Sequence, residues 1–568
     1  MTGHRPWLEN YPERVPPSLV PYPEESVFSM LENSARKYPN RPATAFFGKH
    51  IDYAGLLREV ERFSAVLASL GVKKGDRVGL VLPNCPQYVI AFYAAVRIGA
   101  VVVGNNPLYT ERELSHQLKD AGVEVVIVLE QLYPLVDAVR REAGLREVVV
   151  AKLNDYMKFP LNLLAPIKFK KDAKHEGKPW PPVPSGAPVK WWKDLMKSES
   201  PVPPVATVDP RNDPAGFIYT GGTTGLSKGA MLSHFNMIAN ATQASEWCYV
   251  EEGTEALMCV LPFFHSYGMT TELNLGILRA AKLVLVPRFE LHMVLKEVQK
   301  ERPTLFPGVP KLYQAIVNAP DSRKFDLSSI RACVSGAGAL PASVAAKFKE
   351  LTGGTVVEGY GLTEAAPVTH ANPLDGRARA GSIGMPIPDT ECRIVAIDEP
   401  DRELAPGQEG ELLIMGPQVM LGYWNRPDET AMTIRNGWLH TGDVAVMEDD
   451  GFFRIVDRIK DMVKVSGFNV YPTEVEDVLY GNPKIAKVCV VGVPDDESGE
   501  VLKAYVVLRE GESATPEEII EWARKDLTGY RVPKSIEFRD SLPETIIGKV
   551  LRRVLLEEEK QRAAAKTS

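Results

Sequence analysis

The sequence has no pair of cysteines at the CxxC spacing used by structural zinc sites and redox motifs. Its 568 residues contain six scattered cysteines: Cys85, Cys248, Cys259, Cys333, Cys392 and Cys489. Such scatter is typical of reduced thiols in an intracellular enzyme. We therefore expect no disulfide framework and no zinc site, and we expect a cytoplasmic location.

Long apolar runs and a positive net charge are also missing. The most hydrophobic stretch, Tyr88 to Gly104, contains Arg97 and is shorter than the ~20 residues that span a bilayer. The opening residues MTGHRPWLENYPERVPPSLVPYPEES contain no apolar signal-peptide segment. A net charge of -7 argues against nucleic-acid binding as the main task. We expect a soluble protein, or one that contacts the cytoplasmic membrane face peripherally.

Helical and strand patterns alternate through the first 150 residues and again from Ala215, which predicts a parallel α/β sheet covered on both faces. After Gly381, short Gly- and Asp-bounded strands predict an antiparallel β unit. The last ~110 residues mix helices and strands, which predicts a small separate α+β domain. A chain of this length needs two or more domains.

Residues 153–207 interrupt the alternating pattern with many prolines and a lysine cluster, and they predict a long excursion. Apolar residues beside Lys168, Lys170, Lys171 and Lys174 suit a segment lying on an anionic bilayer. The alternative is a segment that packs on the protein's own surface. Pro160 and Pro166 argue against a helix here.

The segment YTGGTTGLSKGAMLSH, Tyr219 to His234, has the composition of a phosphate-binding loop. Glycines let backbone N–H groups approach an anion, and threonine hydroxyls and Lys228 add donors and charge. The Walker A spacing is absent, and SGAGAL, Ser335 to Leu340, does not fit the dinucleotide fingerprint. A flexible surface loop is the alternative.

Two further segments contain candidate functional residues. EGYGLTEAAP, Glu358 to Pro367, places a tyrosine between glycines, where its ring can lie against a purine, and a carboxylate at Glu364 suited to Mg²⁺. The third is the run from Asn436 to Glu476, NGWLHTGDVAVMEDDGFFRIVDRIKDMVKVSGFNVYPTEVE. Together the three segments resemble the acyl-adenylate-forming (AMP-binding) superfamily, and within it the bacterial long-chain fatty acyl-CoA ligases, from about Phe28 to Arg553.

The resemblance implies a fold and a domain division. It implies an α/β protein whose N-terminal domain, residues 1–459, combines doubly wound α/β subdomains with a small β-barrel. A mobile α+β C-terminal domain, residues 460–568, follows, with Lys460 as the hinge residue.

The resemblance also implies an ATP site. Thr363, Glu364 and Lys549 would be catalytic, with Glu364 as the magnesium ligand. The implied ATP and AMP contacts are Thr220, Gly221, Gly222, Thr223, Thr224, Gly225, Lys228, Gly336, Ala337, Gly338, Glu358, Gly359, Tyr360, Gly361, Thr363, Asp443, Ile455, Arg458 and Lys549.

For the other substrates, LPFFHSYGMTTELNLGILRA resembles the acyl-pocket segment. His265, Gly268 and Met269 are its pocket candidates, although a histidine there can be a core residue and a glycine can simply permit close packing. The CoA-site candidates are Lys464, Ser466, Gly467 and Phe468.

The expected reaction joins a medium- to long-chain fatty acid to CoA through an acyl-adenylate, using ATP and Mg²⁺ and releasing AMP and pyrophosphate. An aryl (hydroxycinnamate-type) CoA ligase would share every ATP motif and is the nearest alternative. A fatty acyl-AMP ligase, whose extra insertion we do not find, and a non-catalytic scaffold are the others. The sequence leaves chain length, degradative or biosynthetic role, and monomer or homodimer open.

Overall fold

The computed structural model describes residues 5–175, 180, 182–184, 186, 188–220, 227–466, 468–495, 498–544 and 550–567. Strand-forming runs such as RVGLV build an eight-stranded sheet. In spatial order its strands are Gly422–Tyr423, Lys228–Ser233, Pro214–Thr220, Val101–Gly104, Arg77–Val81, Val123–Leu129, Glu147–Ala151 and Val189–Trp191. The six strands from Pro214–Thr220 onward are parallel, and Lys228–Ser233 pairs antiparallel with both of its neighbours.

Both faces of this sheet are buried. In strand Val123–Leu129, Val125 and Ile127 belong to one apolar cluster, whereas Val126 and Val128 belong to another on the opposite face. Continuous apolar strands of this kind are typical of parallel sheets covered by helices on both sides. The predicted doubly covered α/β sheet is confirmed.

A second sheet consists of two four-stranded ladders that Leu305 joins through parallel bridges to Leu257 and Ala332. The first ladder is Ala256–Cys259, Lys282–Leu285, Pro42–Phe46 and Lys49–Asp52. The second ladder is Ala332–Ser335, Thr355–Gly361, Val368–Ala371 and Met385–Pro386.

Helices connect and cover these strands. The α-helices are Phe28–Lys37, Tyr53–Ser69, Pro86–Arg97, Glu111–Ala121, Tyr133–Val139, Leu161–His175, Trp192–Leu195, His234–Trp247, Ser266–Gly268, Leu275–Leu278, Leu291–Glu301, Pro310–Asn318, Ala342–Thr352, Pro427–Thr433, Pro472–Tyr480, Pro516–Ala523 and Arg552–Thr567. A π-helical turn spans Met269–Asn274. Short 3₁₀ turns cover Pro6–Asn10, Glu130–Leu132, Leu153–Tyr156, Pro320–Lys324, Thr363–Ala365, Ile459–Asp461 and Gly529–Arg531. No helix among the described residues is both long and apolar enough to cross a bilayer.

The expectation that proline prevents a helix in the 153–207 excursion is wrong. Leu161–His175 is an α-helix with Pro166 inside it. Proline cannot donate to the carbonyl four residues earlier, which is that of Asn162, and the Asn154 side chain donates to this oxygen instead, at 3.0 Å. Pro160 causes no conflict because it precedes the first helical residue.

The antiparallel unit predicted after Gly381 is confirmed. Its strands are Glu391–Val395, Gly410–Met415, Trp438–Met447, Ile434–Arg435 and Phe453–Arg458. A separate sheet follows, with strands Phe468–Val470, Val463–Val465, Gly499–Leu508, Ile485–Asp495 and Ser535–Phe538.

The last sheet has its own core, in which helices Pro472–Tyr480 and Pro516–Ala523 contribute Leu479 and Ile519. This is the α+β unit predicted for the C-terminal part of the chain. The division at 459/460 stays a prediction.

Candidate active site

The two segments predicted to surround the adenine begin from neighbouring strands. Ala332–Ser335 and Thr355–Gly361 are parallel, with Ser335 opposite Glu358. Gly336–Gly338 therefore leave the sheet beside the end of the strand that carries Tyr360. Ligands of α/β proteins bind at such carboxyl edges, so the fold brings the predicted adenine-side residues together.

Glycines at this edge permit close contacts. A Cβ on Gly336 would lie 2.8 Å from the ring of Tyr267, and the Tyr267 hydroxyl donates to the carbonyl of Val334 at 2.7 Å. A Cβ on Gly359 would lie 2.7 Å from Val334. Tyr267, which we did not predict, therefore connects the acyl-pocket segment to the adenine side.

The predicted ribose residues form one cluster around the buried Asp443. Asp443 and Arg458 face each other on paired antiparallel strands, with Arg458 Nε 2.9 Å from Asp443 Oδ1. The Tyr360 hydroxyl donates to Asp443 Oδ2 at 2.5 Å. The Asp443 charge raises the pKa of Arg458. Both carboxylate oxygens are thereby oriented, and each retains a lone pair for a hydroxyl. Ile455 lies on the same strand as Arg458 and packs against the main core.

Glu364 lies in the short helix Thr363–Ala365, and the Tyr423 hydroxyl donates to its Oε1 at 2.6 Å. The Lys228 ammonium lies over the ring of the same tyrosine, 5.2 Å from its centroid, and pairs with Glu429. Tyr423 thus brings the predicted magnesium ligand and the predicted phosphate-binding lysine to one place. Nothing in the sequence pattern distinguishes Tyr423, because it lies about 60 residues from Glu364 and nearly 200 from Lys228.

The phosphate loop is closed by an antiparallel strand pair in which Thr220 lies opposite Lys228. Gly221, Gly222, Thr223, Thr224 and Gly225 lie outside the described residues, as do Lys549 and Gly467. Thr220 and Lys228 are therefore neighbours across the hairpin, and Lys228 is the one that contacts Tyr423.

A small apolar cavity of about 40 Å³ lies beside the adenine-side strands. Its lining residues, apolar apart from Thr271, are Ala244, Trp247, Cys248, Thr271, Leu275, Leu305, Pro307, Ala332, Cys333, Val334, Val368, Ala371 and Ile387. Ser266 Oγ lies 3.3 Å from Thr363 Oγ1, so the segment that supplies Thr271 and Leu275 also touches a predicted catalytic residue. Its apolar lining suits part of an alkyl or aryl group.

The three predicted acyl-pocket residues do not line this cavity. A Cβ on Gly268 would lie 2.5 Å from the Pro262 carbonyl, so this glycine permits close backbone packing. Met269 is buried in the main core. His265 Nδ1 accepts the N–H of Tyr267 at 3.2 Å, and burial lowers the pKa of His265 to about 4.

The predicted hinge lies beside a charged cluster centred on Arg552. Its guanidinium is 2.7 Å from Glu476 Oε2, 3.3 Å from Asp461 Oδ2 and 3.6 Å from Asp457 Oδ1. Arg552 thus joins the last helix to both sides of Lys460, which lies one residue before Asp461. Local burial and the Arg458 charge lower the pKa of Lys460 to about 8.

The described CoA-site candidates form a hairpin of strands Val463–Val465 and Phe468–Val470. Phe468 is 57% exposed and stacks on Tyr530, with ring centroids 4.7 Å apart. Ser466 adopts φ +50° at the turn, and the N–H of Lys464 donates to Glu500 at 3.0 Å. The hairpin offers an exposed aromatic surface beside a lysine.

The single carboxylate at Glu364 suits a magnesium ion that binds together with the nucleotide. Among the described residues, no group of three or more His, Cys, Asp or Glu side chains could hold a metal. Glu364 supplies one carboxylate, with one oxygen bonded to Tyr423. Mg²⁺ in nucleotide sites takes one or two carboxylates, with phosphate oxygens and waters as its other ligands, and the site fits that arrangement.

Comparison with known proteins identifies the class. Residues 31–424 match the family described as AMP-binding enzyme, and residues 474–549 match AMP-binding enzyme C-terminal domain. The chain belongs to the AMP-binding enzyme family.

Individual relatives and solved structures show which members of this family the chain resembles. The chain is 43% identical to a long-chain-fatty-acid–CoA ligase of Bacillus subtilis (strain 168), over 98% of this chain and 99% of the relative. It is 36% identical to a feruloyl-CoA synthase of an Amycolatopsis species, over 91% and 96%. An anthranilate CoA ligase, AuaEII, solved with anthranoyl-AMP, superposes with a TM-score of 0.81 at 26% identity, over 96% and 98%.

Proposed function

We propose that the protein is an ATP-dependent ligase that converts a long-chain fatty acid to its acyl-CoA through an acyl-adenylate. The observation that carries the proposal is the 43% identity to a long-chain-fatty-acid–CoA ligase over 98% of this chain, and a small apolar cavity lies beside Val334 at the adenine-side edge. A fatty acid would place its carboxylate toward Thr363, on the side where Ser266 and Thr363 meet, and part of its apolar chain in this cavity.

The reaction proceeds by two displacements. A carboxylate oxygen attacks the α-phosphorus of ATP, the bond to pyrophosphate breaks, and a mixed anhydride remains. The CoA thiolate then attacks the acyl carbon, and AMP leaves with the bonding electron pair. Catalysis needs alignment and charge stabilisation but no protein nucleophile.

We assign a role in the reaction to the main predicted site residues. Asp443 and Arg458 would hold the ribose, Lys228 and Thr220 the phosphates, Thr363 the α-phosphate and Lys549 the developing charge of the first step. Lys464, Ser466 and Phe468 would contact CoA. Mg²⁺ held by Glu364 and the phosphates would neutralise charge on the triphosphate. We place the enzyme in the cytoplasm, since the six cysteines are unpaired.

The test measures CoA-dependent AMP release with octanoate, laurate, palmitate, oleate and coumarate. We expect the highest kcat/KM for a long-chain acid. A preference for coumarate would instead support an aryl CoA ligase, which the feruloyl-CoA synthase relative makes the second candidate. Pyrophosphate release with accumulation of acyl-AMP, and no AMP release on addition of CoA, would indicate an acyl-AMP ligase.

A cavity variant sharpens this test. Ala244 lines the cavity and is buried, so Ala244→Phe should shift preference toward shorter acids. The KM for ATP should stay unchanged, because the substitution leaves the Asp443 cluster intact. An unchanged acid profile would contradict acyl binding in this cavity.

A further inference from the structure

The helix Leu161–His175 and the two residues before it carry an apolar surface that the protein leaves uncovered. Five side chains form this apolar patch: Phe159, Leu161, Leu163, Leu164 and Ile167, exposed by 72%, 45%, 63%, 54% and 68%. The other large apolar side chains exposed in the described part of the chain are scattered singly or in pairs. Isolated exposed residues are ordinary, but a contiguous group marks an interaction surface.

The apolar patch cannot be buried by rotating the helix, because the opposite side is already occupied. Ala165 and Phe169 pack against the main core, and the Asn162 carbonyl accepts from Asn154. These three residues follow helical spacing on one face. The outward orientation of Leu163 and Ile167 is therefore fixed by contacts on the inner face.

Basic residues adjoin the apolar patch. Lys158, Lys168, Lys170, Lys171 and Lys174 are all exposed, and no ion pair joins them to another described residue. The segment 158–175 contains one acidic residue, Asp172, although the whole chain carries a net charge of -7. The positive charge of this segment is thus local and opposite in sign to the net charge of the chain.

We propose that this surface docks the enzyme on an anionic phospholipid bilayer, with the apolar patch at the level of the headgroups and the lysines against the lipid phosphates. An interfacial segment needs this combination of apolar side chains and adjacent cations. Each lysine strengthens binding roughly fivefold near an anionic surface. A second copy of the chain fits less well, since a two-fold contact through the same patch would oppose lysines with lysines.

Docking on a bilayer is separate from the ligase reaction, and the docking proposal does not depend on that reaction. It has a consequence if the substrate is a fatty acid, because long-chain acids partition into bilayers. The enzyme would then collect its substrate at the surface where that substrate is concentrated.

The test is sedimentation of the full-length enzyme with vesicles, either phosphatidylcholine alone or phosphatidylcholine and phosphatidylglycerol in equal parts. We expect the wild type to pellet with the anionic vesicles at low salt and to be released as salt rises. The variant K168Q/K170Q/K171Q/K174Q should lose about two orders of magnitude or more of this binding, from roughly fivefold per lysine. Its activity on detergent-solubilised laurate should be unchanged.

Two matched variants complete the design. K73Q/K296Q/K347Q/K349Q removes the same charge from exposed lysines elsewhere and should bind like the wild type. L163S/L164S/I167S should weaken binding while thermal unfolding stays at the wild-type temperature. A wild type that remains in the supernatant at low salt, or equal loss in both lysine variants, would overturn the proposal. So would a concentration-dependent dimer that only L163S/L164S/I167S abolishes, which would identify a contact between copies.

Discussion

The large domain holds its side of the nucleotide site through tyrosine hydrogen bonds and the Asp443–Arg458 pair within its own strands, whereas the C-terminal part meets the large domain mainly through ion pairs. On the first side, the hydroxyls of Tyr267 and Tyr360 bond to Val334 and Asp443. On the second side, Arg552 pairs with Asp457 and Asp461, and the exposed Lys311 pairs with Glu544 at 3.1 Å. Tyr471 adds a small apolar contact with Val444, Val446 and Val456.

The difference suggests that the large domain is the fixed part of the site and that the C-terminal part is the movable one. Polar contacts between domains can break and reform at low cost, whereas buried aromatic packing cannot. Two reactions that share one site need different partners for the same adenylate, and a domain attached by ion pairs can supply them in turn. The following predictions test this division.

The largest effect should follow from Lys549→Ala on the movable side. An electrostatic donor at a transition state contributes roughly 10²–10³ in rate, so adenylate formation should fall by that amount. Conversion of supplied acyl-adenylate and CoA to thioester should persist. Lys534→Ala, an exposed lysine of the same domain, is the control. Equal loss in both half-reactions would remove Lys549 from its assigned role.

Arg552→Gln should loosen the charged cluster. The change leaves Asp457, Asp461 and Glu476 without their shared cation and should cost about 2–3 kcal/mol, less than a fully buried pair. We expect an early unfolding transition of the C-terminal part and faster proteolysis near the hinge. Arg524→Gln, whose ion pair with Glu521 is exposed, should show neither. A single unshifted transition would mean that this cluster does not hold the domain.

Asp443→Ala tests the fixed side and should raise the KM for ATP by roughly one to two orders of magnitude, as loss of a charge-assisted contact implies. The KM for the fatty acid should stay nearly constant, because the cavity does not include Asp443. Asp449→Ala, an exposed aspartate nearby, serves as the control. Normal ATP dependence in Asp443→Ala would exclude the residue from the nucleotide site.

Lys460→Pro should separate the two half-reactions in the opposite sense to Lys549→Ala. Proline fixes φ near -65°, so a hinge that must change its dihedral angles would stay in one state. We expect adenylation to survive and thioester formation to fall about tenfold, which corresponds to roughly 1.4 kcal/mol. Lys460→Ala keeps the backbone free and isolates the loss of charge. If Lys460→Ala lost as much as Lys460→Pro, the hinge assignment would fail.

Features of the fold and site that depend on local sequence could be predicted, whereas contacts between residues far apart in sequence could not. The family and the α/β fold follow from local motifs and periodicity, and both predictions are confirmed. Tyr423 could not be found, because its partners Glu364 and Lys228 lie far away in sequence. The helix containing Pro166 was missed for a different reason, because proline is expected to break a helix, whereas the nearby side chain of Asn154 donates to the carbonyl that proline leaves unpaired.

The last prediction concerns the stability of the fold, through Glu358 on the fixed side. Burial raises the pKa of its carboxyl from 4.5 to about 7, although the N–H of Gly381 donates to it at 3.2 Å. A raised pKa stabilises the folded state fully below the unfolded value, and this contribution is lost as the pH rises through about 7.

Glu358→Gln keeps an acceptor for Gly381 and removes the charge. We therefore expect the variant to exceed the wild type in stability at pH 8 by on the order of 1–3 kcal/mol and to match it near pH 5. Thermal unfolding at the two pH values measures the difference. A variant less stable than the wild type at pH 8 would mean that the carboxylate has a stabilising partner in the folded state.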